Sequence, residues 1–154
     1  MEGLKKELGP DHPHTLGSIN NVGLALQEQG QYEKAEEMYR LSLEGRERLF
    51  GPDDPDTLTS FHNLGVALQH QGRYQEAEAM YRRAQQGREK VLGIDHSDTL
   101  TSAHNLGFVL QHQEKFKEAE EMYRRAQEGR LRVLGPDHPD TIASVNGLRS
   151  VESR

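Results

Sequence analysis

The chain has 154 residues, of which 33% are hydrophobic and 29% charged, with a formal net charge of −6. That balance argues against a general nucleic-acid binder, whose affinity would rest on a basic surface. There is no cysteine, which excludes disulfides and thiolate metal sites and suits a reducing, cytoplasmic setting, and no apolar run approaches the length of a membrane span.

The dominant feature is a repeat. The segment from Leu8 to Leu16 returns from Phe50 to Leu58, from Leu92 to Leu100 and from Leu134 to Ile142, an interval of 42 residues each time. A period of this length signals one supersecondary unit copied in tandem. The chain therefore reads as a single array. Residues 1–9 are the end of a truncated repeat, 10–51, 52–93 and 94–135 are full repeats, and 136–154 hold the first helix of another.

In chain order, Gly3 to Gly9 lies in register with Gly45 to Gly51 and reads as the last turns of a helix B. The second repeat shows the full unit. Asp54 can cap free backbone N–H groups and Pro55 suits a first helical position, so helix A is predicted from Pro55 to Gln71. Leu58, Phe61, Leu64, Gly65 and Leu68 give it helical periodicity. Gly72 ends it in the left-handed conformation. Helix B is predicted from Tyr74 to Leu92, with Tyr74, Ala77, Tyr81, Ala84, Val91 and Leu92 on its apolar face, and Gly93 closes it.

The other repeats carry the same anchors. Gly23, Gly65 and Gly107 align, and a glycine on helix A is expected where helix B crosses. Glu114 replaces the turn glycine of Gly30 and Gly72, at a cost of about 1 kcal/mol if it is left-handed. Gly45, Gly87 and Gly129 recur inside helix B and point to a close contact with the next helix A; a tolerated local bend is the alternative. His12, His96 and His138 stand beside aspartates in the connections, where a role at helix starts is expected. Pro139 to about Val151 makes a last helix A, in which Gly147 replaces the asparagine register and Arg149 the glycine register. Neither chain end resembles a polar cap, so the orphan half-helix B and the orphan last helix A could complete each other between molecules, in concentration-dependent end-to-end self-association.

Almost all charge falls on helices B and the turns, which are expected to face outward. Helix A is nearly uncharged: 15–29 holds only Glu28, and 57–71 and 99–113 hold no charged residue. Its candidate contact residues are Asn21, Asn63 and Asn105, with His62, His70, His104, His112, Gln69 and Gln111, and with pockets between Val66 and Phe108. An asparagine donates and accepts at once, so a ladder of them can satisfy the backbone of an extended peptide; equally, it can brace neighbouring helices. The four helix-A histidines would begin to charge near pH 6.5. His62 and His70 are about 12 Å apart along one helix axis, too far to share a metal. No catalytic motif converges, so neither an enzyme nor a cofactor is expected. The leading expectation is a protein- or peptide-binding scaffold, and the alternative is a structural spacer or oligomerisation module.

The series Leu64-Gly65, Gly72, Tyr74, Ala77, Tyr81, Ala84 resembles the tetratricopeptide signature, in a form longer than the usual unit of about 34 residues. The extended form is similar to the repeats of kinesin light chains. The resemblance implies an all-α, right-handed superhelical solenoid of antiparallel helix hairpins, about seven helices plus an N-terminal half-helix. It also implies that helices A line a concave face that grips extended peptides, with Asn21, Asn63 and Asn105 at the positions that hold the peptide backbone. The lysine that a carboxylate clamp needs is replaced by Asn20, His62, His104 and Asn146.

Overall fold

The computed structural model describes residues 12–152. Among them are seven helices: α1 (Pro13–Glu28), α2 (Tyr32–Phe50), α3 (Pro55–His70), α4 (Tyr74–Leu92), α5 (Ser97–His112), α6 (Phe116–Leu134) and α7 (Pro139–Glu152). The chain divides into two compact units, Met1–Arg73 and Tyr74–Arg154, each taken by itself below. The first holds α1–α3 and the second α4–α7. Residues 1–11, with the expected half-helix B, lie outside the described residues.

Local chemistry sets the helix ends. The side chains of His12, Asp54 and His96 accept from the backbone N–H two residues on, at 3.1, 2.9 and 3.1 Å. His138 accepts likewise from Asp140 at 3.0 Å. Three imidazoles thus do the capping work of an aspartate, each with Nδ1 as the acceptor and hence its proton on Nε2. Gly30 and Gly72 end helices A at φ 77° and 75°, and Glu114 takes the same left-handed place at φ 62°, at a cost of about 1 kcal/mol.

Two reciprocal contacts lock the α1–α2 and α5–α6 hairpins. On α1, a Cβ added at Gly23 would lie 2.6 Å from the Tyr39 ring of α2; on α5, one at Gly107 would lie 3.0 Å from Tyr123 of α6. In the reverse direction, Gly45 of α2 receives the Leu16 side chain of α1, and Gly129 of α6 receives Leu100 of α5. Gly45 and Gly129 therefore do mark a close contact, and the nearest side chain is a leucine on helix A of their own hairpin. Tyr39, Tyr123, Leu16 and Leu100 are all buried.

Helices B do not face wholly outward. Arg88 and Arg130 are buried and Arg46 half-buried. Arg46 Nη1 donates to the Asp56 carbonyl and the Ser60 hydroxyl at the start of α3. Arg88 reaches Asp98 and Ser102 on α5 in the same way, and Arg130 reaches Asp140 and Ser144 on α7. A guanidinium can be buried here because its fork satisfies first-turn groups of the following helix A; burial pulls the pKa of all three down. Conversely, Val91, expected on the apolar face of α4, is exposed, while Gly87 and Arg88 are buried.

A second brace recurs. Glu36 accepts from Gln71 and Arg73 at 3.0 and 2.7 Å, and Glu78 accepts from Gln113 and Lys115 at 2.9 and 3.2 Å. Burial alone would raise both carboxyl pKa values, but the hydrogen bonds and cations outweigh it and hold them below the ordinary range.

Gly23→Ala gains roughly 1 kcal/mol of helix propensity but overpacks a buried ring, which costs about 1–3 kcal/mol. A net loss of up to about 2 kcal/mol is expected in urea unfolding; a variant more stable than the parent by the full propensity gain would remove this seat from the account.

Candidate functional site

In the first unit the candidate residues lie along α1 and α3. Asn21 is exposed, while Asn63, Val66, His62 and Gln69 are half-buried. Asn63 Nδ2 donates to Asn20 Oδ1 at 3.1 Å, so this asparagine ties α3 to α1. Its Oδ1 and second N–H are additional hydrogen-bonding capacity. His70 ends α3 and stacks on Tyr32, the first residue of α2, with ring centroids 4.5 Å apart and planes 9° apart. Beside this pair opens a cavity of about 560 Å³, lined by Tyr32, Lys34, His70, Gln71 and Arg73. His70 thus belongs to the edge where helix A turns into helix B, not to the middle of the face.

The second unit presents the same face on α5 and α7. His104 points inward. Its Nδ1 lies 3.1 Å from the Ser144 hydroxyl, which accepts from Arg130 and so has its own proton to give. The imidazole meets the Tyr123 ring edge-on at 5.3 Å. Burial first, and the Arg130 charge second, push its pKa down to about 4, with Asp140 opposing. The expectation that all four helix-A histidines charge near pH 6.5 is therefore corrected for His104: its position under α7 removes the water that would solvate the cation.

Gln111 is also a brace, accepting from the Tyr123 hydroxyl at 2.9 Å and donating to Ser150 at 3.0 Å. Asn105 and Phe108 are half-buried and His112 is exposed. His112 lies between Phe108, at 4.2 Å, and Tyr74, at 4.9 Å, with Nδ1 2.9 Å from the Phe108 carbonyl. The asparagine register ends at α7 because a Cβ at Gly147 would lie 2.5 Å from the Tyr123 ring.

The candidates thus divide by environment. Asn21, His70 and His112 reach solvent, Asn105, Val66 and Phe108 line the face, and Asn63, Gln111 and His104 hold helices together. Reading the sequence missed Asn20 and the Tyr32–His70 stack. The stack had a signal, since Tyr74 and His112 repeat the pair 42 residues on. Asn20 had little, because His62 and His104 replace it in the next two repeats and only Asn146 repeats it. Among the described residues no cluster of three metal-ligating side chains forms, and no helix is long and apolar enough to cross a membrane.

Comparison with known proteins agrees with this geometry. The tetratricopeptide repeat model matches residues 1–48, 15–90, 56–130 and 98–148. No curated protein matches the chain. Among solved structures it is similar to BtubC (BKLC) from P. vanneervenii, with TM-score 0.84, 20% identity, and coverage of 90% of this chain and 56% of that one. It is also similar to a Podosopora anserina putative kinesin light chain with nearly identical TPR-like repeats, with TM-score 0.82, 26% identity, and coverage of 91% and 66%. The Sgt2 TPR domain from Aspergillus fumigatus follows at TM-score 0.67, 19% identity, and coverage of 92% and 78%. The chain spans 56% and 66% of the first two proteins' lengths. The architecture is an all-α solenoid of antiparallel helix hairpins.

A lowered histidine pKa stabilises the fold above the unfolded-state value of 6.5, and that stability is lost as pH falls from 6.5 towards 4. The loss credited to His104 is on the order of 2–3 kcal/mol. Urea unfolding from pH 7 to 4, compared between the parent and His104→Gln, isolates it from the carboxylates. Parallel pH profiles for the two proteins would show that His104 is not the titrating group.

Proposed function

Because the chain belongs to the tetratricopeptide repeat family, we propose that it is a non-catalytic scaffold holding an extended peptide or a partner protein along its helix-A faces. Repeats of this family typically mediate protein–protein interaction, and the carrying observation is the chemistry of those faces. They are almost free of charge and present Asn21 in solvent, with Asn63, Val66, Asn105 and Phe108 half-buried. An extended chain brings alternating N–H and C=O groups that lose water on binding and need partners. Amides serve both kinds and give affinity with modest sequence selectivity. Val66 and Phe108 offer apolar seats for the peptide's side chains, and the cavity beside Tyr32 and His70 is an anchor point at the edge of the face. The nearly neutral surface gives little long-range steering, so association is expected to depend weakly on salt.

Selection from a peptide library, followed by titration of Asn21→Ala/Asn105→Ala, tests this reading. Neither asparagine takes part in the braces above, so helicity should persist while affinity falls about tenfold or more. Unchanged affinity in a folded double variant would place the contact surface elsewhere.

The use of Asn63, Gln111 and His104 as braces favours a second reading, a structural spacer or oligomerisation module. Its specific observation is Ile142 on α7, 45% exposed where Leu16, Leu58 and Leu100 are at most 2% exposed. Under this reading the apparent mass rises with concentration in sedimentation from micromolar to hundreds of micromolar. A monomer throughout that range would leave the scaffold reading alone.

A further inference from the structure

Two places in the chain carry the same three-residue arrangement and differ in one member. In the first unit Tyr32 meets His70, and Val66 stands one turn before His70 on α3. In the second, 42 residues on, Tyr74 meets His112, and Phe108 stands one turn before His112 on α5. Side chains four positions apart on a helix are neighbours. Phe108 uses that position: its ring lies 4.2 Å from His112, so this imidazole has one ring from α4 and a second from its own helix. Valine has no ring to give. Among the described residues Tyr32 is the one ring against His70, and His70 is exposed.

The two imidazoles lie differently in consequence. His70 is flat on Tyr32, with planes 9° apart. His112 is tilted by 36° to Tyr74 and by 33° to Phe108, with Nδ1 on the Phe108 carbonyl. An exposed imidazole that lies flat on one ring offers a second ring a stacking surface. The charges around it select no ion. Lys34 and Glu33, both exposed, line the same cavity and oppose each other, and Arg73 is held by Glu36 at 2.7 Å and Gln71 at 3.1 Å. What His70 lacks, beside its counterpart, is a neutral ring. The adjoining cavity of about 560 Å³ leaves room for the chain that would carry one.

We infer that His70 is the seat of an aromatic side chain of the bound partner, which completes from outside the stack that Phe108 completes from within at His112. The inference deepens the scaffold reading and rests on it for the source of the ring. It makes the first unit selective for an aromatic residue at one position of the partner, while the second unit fills its own seat. An aliphatic side chain covers the same imidazole but gains no stacking.

The test titrates acetyl-glycyl-tryptophyl-glycinamide, with the leucyl analogue as control, into the full chain and follows the ring protons of His70 and His112 by NMR. The ring current of a stacked indole should move the His70 protons upfield and leave those of His112 in place. Affinity should exceed that of the leucyl analogue about fivefold. Val66→Phe should shift the His70 protons upfield without any probe and remove their response to it. Phe108→Val should open the second seat, so that His112 responds as well; circular dichroism checks the helicity of both variants. A silent His70, equal binding of the leucyl analogue, a folded Val66→Phe that still responds, or a folded Phe108→Val whose His112 stays silent would overturn the inference. Library peptides that bind a chain whose His70 ignores the tryptophyl probe sink this inference alone. A His70 response in a chain that selects no peptide sinks the scaffold reading instead.

Discussion

The structure depends on an exchange of glycines within the α1–α2 and α5–α6 hairpins. Helix A gives up a side chain at Gly23 or Gly107 so that a buried tyrosine ring can lie against its backbone. Helix B gives up a side chain at Gly45 or Gly129 so that a leucine can do the same in return. Each glycine weakens its own helix by about 1 kcal/mol, a cost that makes sense only against the packing it permits. The two contacts sit at different heights along the hairpin, so they fix both the distance and the register of the two helices. Everything that faces outward from helix A is positioned by that lock.

Polar side chains then join each helix B to the following helix A. Arg46 in the first unit, and Arg88 and Arg130 in the second, reach first-turn carbonyls and serines. Glu36 and Glu78 collect donors from the turn 35 to 37 residues further on. These bonds are directional, unlike apolar contact, and specify one angle of approach. They also explain how a chain only 33% hydrophobic sustains a tandem fold: part of its cohesion is polar. The same economy bears on function. Asn63 and Gln111 sit on the face that a ligand would meet, yet each already holds a neighbouring helix. A ligand there engages a surface that is rigid before it binds, and so pays less to order it.

Much of the fold was legible because its determinants are local. Capping side chains, prolines at first helical positions and left-handed turn residues act within a few residues of the chain. Accordingly α4 runs from Tyr74 to Leu92, as expected, and Glu114 takes the positive φ of the turn glycines it replaces. The environments of the candidate residues were less legible. His104 and His112 are the same residue type on one helix, eight positions apart. One is half-buried against Ser144 and Tyr123, the other stacks in solvent-facing contact with Phe108 and Tyr74. Only the placement of α7 and α4 separates them.

The sequence by itself determined the repeat, the helix limits, the family and the nearly uncharged character of helix A, because periodicity, capping and composition are written residue by residue. The tertiary structure alone decided that three helix-B arginines turn inward, that Gly45 and Gly129 seat leucines of their own hairpin, and that His104 loses its ordinary pKa. Each of these depends on which atoms arrive from a distant segment and on whether water is left between them, and neither is encoded in a single stretch of chain.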